Sequence, residues 1–204
     1  MHICIPKNNI SRAITAGLLL IPSLALAHGD VSHLPAGVQG FSSGFLHPLT
    51  GFDHLLAMLA VGIWAAQNRR TGMWLLPVMF PLMMLVGAAI GLQAYALPGI
   101  ETGIALSVAA LGLLIGFAVS LPAFASAALI AVFAMLHGYA HGAELPAAAS
   151  GLIYCLGFLA STATLHLIGL VLGLSFRRFL GETASKLTGA MIASCGLLFL
   201  YNLA

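Results

Sequence analysis

Apolar residues fall into six blocks along the chain, separated by short polar breaks. The blocks run from Gly40 to Ala66, Met73 to Leu97, Gly103 to Leu121, Phe124 to Gly142, Ala147 to Leu174 and Leu187 to Leu200. A bilayer is crossed by about 20 apolar residues in a helix. The breaks are "QNRRT", "PGIET", Pro122, "AELP" and "SFRRFLGETASK". This pattern predicts an all-α fold, a polytopic membrane protein built as one bundle of six transmembrane helices. Ahead of the blocks, Lys7 and Arg12 precede an apolar run from Ile14 to Ile21, which Pro22 interrupts and "ALA" at 25–27 follows. That is the three-part layout of a signal peptide cut after Ala27. The expected organisation is a signal peptide at 1–27, a periplasmic N-terminal segment at 28–39, and a six-helix transmembrane domain at 40–204.

Composition agrees with the pattern. Of 204 residues, 61% are hydrophobic and 6% charged, with a mean hydropathy of +1.07, outside the range of soluble domains. The net charge of +2 is scattered, which excludes nucleic acid as a partner. Arg69 and Arg70 follow the first block, and Arg177, Arg178 and Lys186 lie between the fifth and sixth. Basic residues favour cytoplasmic loops, and six spans put both loops on one side. The expected location is therefore a bacterial inner membrane, multi-pass, with the mature N-terminus in the periplasm. Membrane lipid is an expected partner, and a homo-oligomer stays open. Cys155 and Cys195 lack C-x-x-C spacing and read as small apolar residues. The pairs Gly87 and Gly91, Gly112 and Gly116, and Gly169 and Gly173 have the G-x-x-x-G spacing of close helix packing.

Against this background the few ionisable residues stand out. With the direction set, His47, Asp53 and His54 of "HPLTGFDH" fall in the outer half of span one. His137, His141 and Glu144 of "HGYAHGAE" fall in the outer half of span four. At 100° per residue the latter three stand at 0°, about 40° and about −20°, one narrow stripe. Gly138 and Gly142 beside them leave room for a backbone or a ligand. Pro48 and Gly51 predict a break or kink in span one, which membranes tolerate where helices line a cavity. Pro48 also suits the first turn of a helix beginning near His47. Glu101 begins span three, where an acidic group also suits the helix dipole, and His166 lies deeper in span five, where one histidine more often bridges helices. Imidazole with carboxylate suits divalent cations such as Ni, Co, Zn and Cu(II). A cation would also offset buried carboxylates, which are expensive near hydrocarbon. His28 and His33 are weaker candidates, and Met79 and Met83 read as packing.

The two stretches together resemble the HupE/UreJ family of nickel and cobalt permeases, encoded beside hydrogenase and urease genes. That family carries H-x5-D-H in its first span, met here by His47, Asp53 and His54, and H-G-x-A-H-G-x-E in its fourth, met from His137 to Glu144. The likeness extends over essentially the whole chain. It differs from the large nickel/cobalt transporters, whose first motif is H-x4-D-H. The resemblance implies a permease and not an enzyme, passing Ni2+, or alternatively Co2+, from periplasm to cytoplasm for metalloenzyme maturation, with no permanently bound cofactor. It implies that His47, Asp53, His54, His141 and Glu144 are needed for uptake, with His137 in the same motif and Glu101 a further acidic contributor. His166 joins them as a candidate ligand on the way inward. There is no Walker A pattern, so ATP hydrolysis is not expected of this chain.

Two rival functions compete with uptake. A haem-binding electron-transfer protein would use two of the histidines as axial ligands. An intramembrane hydrolase would use Ser150 in "AASG" with a histidine, though serine at a span start is commonly a cap, and H-E-x-x-H is absent.

Overall fold

The computed structural model describes residues 36–68, 73–93, 97–144 and 151–203, with side chains described from Val38 onward. The predicted signal peptide, His28, His33, Arg69, Arg70 and Ser150 lie outside the described residues. Among those residues every element is helical and none is a strand. The helices are α1 (Ala36–Thr50), α2 (Phe52–Gln67), α3 (Leu75–Gly91), α4 (Ile100–Gly116), α5 (Ala123–Ala143), α6 (Gly151–Ser175) and α7 (Gly181–Leu203), with a π-helical turn Phe176–Leu180 joining the last two.

The chain has an apolar core, yet it also exposes large apolar side chains and buries polar ones. Phe124, Phe117, Leu152 and Val171 are exposed, whereas His137, Ser107, Thr162 and His166 are buried. Only a hydrocarbon surrounding makes that arrangement favourable, because a polar group left in lipid without a partner is costly. By length and apolarity, α5 and the helical run Gly151–Leu203 are candidate membrane spans, and the bent pair α1 and α2 makes a third. Helices α3 and α4 are apolar but have 17 residues each, about 26 Å at 1.5 Å per residue.

Glycine sets the helix pairing. A Cβ added at Gly138 or Gly142 on α5 would strike the backbone of α3 at Met84 and Ala88, and one at Gly87 or Gly91 would strike α5 at Met135 and Tyr139. Likewise Gly62 on α2 meets His166 and Gly169 on α6, while Gly44 and Gly157 bring α1 onto α6. Gly112, Gly189 and Gly196 bring α4 onto α7. All three G-x-x-x-G pairs thus lie at helix crossings. The order of contacts gives direction: 62 and 66 meet 169 and 173, so α2 and α6 run parallel; 84 and 88 meet 138 and 142, so α3 and α5 do too; 109 and 112 meet 196 and 193, so α4 and α7 are antiparallel. Exchanging the first half of the chain for the second maps the α2/α6 pair onto the α5/α3 pair and the α4/α7 pair onto itself.

Three boundaries differ from the sequence expectation. Helix α1 starts at Ala36, inside the segment 28–39, because Gly40 already packs on Ile153 of α6. The first span does not break at Pro48: α1 continues through it to Thr50, and the chain bends by 82° at Gly51, whose φ of −89° and ψ of 113° are extended. The connection "SFRRFLGETASK" is not an open loop but helical, with the chain turning at Gly181 (φ 78°). Glycine adopts that φ without steric penalty, so one residue suffices. Arg177 Nη1 donates to the Ala66 carbonyl at the end of α2 (3.3 Å), and Gln67 Nε2 donates to Ser185 Oγ (2.8 Å), fixing these ends together.

Replacing Gly142 or Gly169 by valine is expected to lower stability by about 1–3 kcal/mol through overpacking. Gly40→Ala, whose added Cβ would lie at an ordinary 3.5 Å from Ile153, should change it by no more than about 0.5 kcal/mol. Thermal unfolding in detergent checks this, and equal melting of all three variants would overturn the glycine contacts.

Candidate metal site

The bend at Gly51 assembles the site. In a straight helix His47 and His54 would stand two turns, about 10 Å, apart along the axis. With α1 ending and α2 starting between them, their ring centroids are 6.3 Å apart. Thr50 Oγ1 donates to the His47 carbonyl (2.8 Å) and so satisfies a group at the end of α1. Helix α2 then begins with the Leu55 N–H donating to the Gly51 carbonyl at 2.9 Å.

Asp53 occupies the first turn of α2, where a carboxylate suits the positive end of the helix dipole. Its Oδ1 accepts two bonds from His54, from the backbone N–H (2.8 Å) and from Nδ1–H (2.7 Å). A carboxylate can only accept here, so the neutral His54 ring carries its proton on Nδ1 and its lone pair on the buried Nε2. This is the arrangement by which a carboxylate orients a metal-ligating histidine. Asp53 therefore stands behind His54 rather than within the ligand group described next.

Helix α5 brings its stripe against this bend. The His141 ring lies 4.7 Å from His47 and 4.5 Å from His54, and the His137 ring lies 5.1 Å from His54. Gly138 and Gly142 turn their faces to α3, and His137 and His141, each one residue before a glycine and so about 100° round the helix, meet α1, α2 and α6. Glu144, at the end of α5, reaches back so that Oε2 is 3.8 Å from His47 Nε2. One ligand atom each from His47, His141 and Glu144 all lie within 4.8 Å of one another. His141 is buried while Glu144 is exposed, so the group forms a mouth with a dry inner wall. Phe158 and Tyr154 of α6 supply that wall, with the Phe158 ring 4.1 Å from His141 and the Tyr154 ring 6.1 Å from His47. Beside His141 is a cavity of about 30 Å³, lined also by Met84, Ala88 and Cys155, room for one water or one small ion.

The inner imidazoles share a feature. His137 Nδ1–H donates to the Phe133 carbonyl at 2.9 Å, one turn back on its own helix. The buried Nε2 atoms of His54 and His137 and both ring nitrogens of His141 have no hydrogen-bond partner among the described residues. Buried polar atoms are normally satisfied, and three neutral imidazoles here leave at least one lone pair each without a partner, which a cation could use.

The eight sequence candidates are not all together. His47, His141 and Glu144 form the ligand group, His54 and His137 adjoin it, and Asp53 orients His54. Glu101 is exposed in the first turn of α4 and shares no ion pair or ligand group with the histidines among the described residues. His166 lies farther along α6, across the Phe80 ring. The aromatic wall was not foreseen, although Tyr154, Phe158 and His166 stand four and eight residues apart on one helix.

A family model described as "HupE / UreJ protein" matches residues 16–199. The chain is 39% identical over 184 residues to "Protein HupE" of Rhizobium leguminosarum bv. viciae, covering 89% of this chain and 93% of that protein. No solved structure matches.

Substituting His141→Ala or Glu144→Gln should weaken Co2+ binding to the purified protein by about tenfold or more, and Asp53→Asn by about 10–100-fold through the orientation of His54. Competition with a chromophoric chelator measures this. Unchanged affinity in all three variants would show that the cluster is not a ligand set.

Proposed function

The chain belongs to the HupE/UreJ family, and from that premise we propose that it carries a divalent transition-metal cation, nickel or alternatively cobalt, from the periplasm to the cytoplasm. The observation that carries this proposal is the convergence of His47, His141 and Glu144 within 4.8 Å, bordered by unpaired imidazole nitrogens. Several imidazoles with one carboxylate suit Ni, Co, Zn or Cu(II) rather than Mg or Ca, which prefer all-oxygen shells.

In this scheme the chain crosses the inner membrane six times, with the mouth of the site facing the periplasm. A hydrated cation meets the exposed carboxylate of Glu144 first and exchanges waters for His47 and His141. Asp53, Glu144 and Glu101 make the outer end acidic, which raises the local cation concentration. Inward movement is drawn by the inside-negative potential, about 2.3 kcal/mol per charge per 100 mV. Neutral imidazoles bind without adding charge, and few of them per ion keep ligation weak enough for release. The ion is cargo, and no resident cofactor is part of the scheme.

Cells expressing the wild-type chain are expected to accumulate radioactive nickel or cobalt above cells lacking it. His47→Ala, Asp53→Asn and Glu144→Gln should return accumulation to near that background, and dissipating the membrane potential should lower it in the wild type. Equal accumulation by wild type and all three variants would refute the proposed site.

A further inference from the structure

His166 lies beyond the site just described. It is eight residues past Phe158 on α6, about 12 Å deeper along the helix. The ring of Phe80 intervenes, with its centroid 5.7 Å from His137 on one side and 5.2 Å from His166 on the other. Phe80 and His166 are both buried.

The hydrogen bond of His166 has an unusual origin. In α3 the carbonyl of Pro77 would accept the N–H of residue 81, but residue 81 is proline and has none. The freed carbonyl is taken instead by His166, whose Nδ1–H donates to it at 3.2 Å. A carbonyl only accepts, so the proton of His166 is held on Nδ1. Its Nε2 is left with a lone pair, buried and without a partner among the described residues.

Thr162 lies one turn before His166 on the same face of α6 and is fully buried. Threonine hydroxyls in helices usually bond back to their own backbone, as Thr164 does to Ala160 (2.8 Å) and Thr188 to Ala184 (2.9 Å). The hydroxyl of Thr162 makes no such bond and has no partner among the described residues. Two buried polar atoms one turn apart are thus both unspent.

We propose that His166 and Thr162 form a second, inner station for the divalent cation, separated from the outer group by Phe80, with His166 held as a ligand by the Pro77 carbonyl that Pro81 sets free. Pro81 is a positioning residue in this scheme. The inner station rests on the metal-uptake function proposed above, and extends it from one site to two in series.

Equilibrium dialysis of the purified full chain in detergent against Co2+, with its visible spectrum recorded, provides the test. The wild type is expected to bind one more equivalent of Co2+ than His166→Gln, which keeps a donor for the Pro77 carbonyl and so protects the fold. A double variant His47→Ala/His141→Ala should keep the inner equivalent. Pro81→Ala restores the helical bond to Pro77, competes with His166, and should weaken the inner equivalent while leaving the outer one unchanged. If the wild type binds Co2+ but His166→Gln binds as much with the same spectrum, the inner station is refuted and uptake through the outer site stands. If the wild type binds no Co2+ at all, both proposals fall.

Discussion

A polar atom inside an apolar bundle must find its partner within the bundle, and the arrangement of this site follows from that constraint. Water is not at hand to complete a hydrogen bond at membrane depth. Each of three imidazoles accordingly commits Nδ1–H to a fixed acceptor: His54 to Asp53, His137 to the Phe133 carbonyl, His166 to the Pro77 carbonyl. The three acceptors differ in kind and in sequence distance, yet each fixes the same tautomer. What remains on each ring is an Nε2 lone pair, buried and unpaired. The backbone and one carboxylate thereby convert histidines from ambiguous donor–acceptors into one-sided acceptors.

Holding those rings in register falls to the glycines. Because Gly138 and Gly142 bring α5 into backbone contact with α3, the rotation of α5 about its axis is set, and His137 and His141 meet α1, α2 and α6. Gly62 and Gly169 do the same for α2 and α6, and the Phe80 ring lies between His137 and His166. The two parallel pairs exchange under interchange of the halves of the chain, while the polar residues do not: the outer histidines have no counterpart of their own type at the inner end. Packing follows a near-symmetry that the chemistry breaks, giving the bundle one wet mouth.

Much of this was legible in the sequence. The 100° periodicity placed His137, His141 and Glu144 on one stripe, and the small-residue spacing marked the crossings, because both depend on helix geometry alone. The bend was foreseen at Pro48 and Gly51, and it falls at the second of them. Pro48 draws attention by its missing N–H, yet α1 runs through it to Thr50, and the chain turns at Gly51, where a Cβ would crowd Asp53 Oδ1 and His54 Nδ1 at 3.0 Å. Asp53 was read as a ligand because its residue type permits it. Only the 2.7 Å bond to His54 shows the carboxylate already engaged. The helical connection through Gly181 was hidden by its charges, which mimic a loop but line an exposed helix end.

The pair Pro81 and His166 illustrates why some of the site resists sequence reading altogether. A proline in a helix is ordinarily judged by what it breaks, and 85 residues separate it from the histidine that uses the break. Pro81 removes one donor, and the orphaned carbonyl is then an acceptor in a place where acceptors are otherwise all consumed by the helix. A buried imidazole needs such an acceptor more than an exposed one does, since an unpaired N–H forfeits about 1–3 kcal/mol. Loss in α3 and need in α6 offset each other because Pro77 and His166 lie at the same level of the bundle, within 3.2 Å of one another. The histidine tautomer at depth is therefore a property of two helices together, which no single stretch of residues encodes.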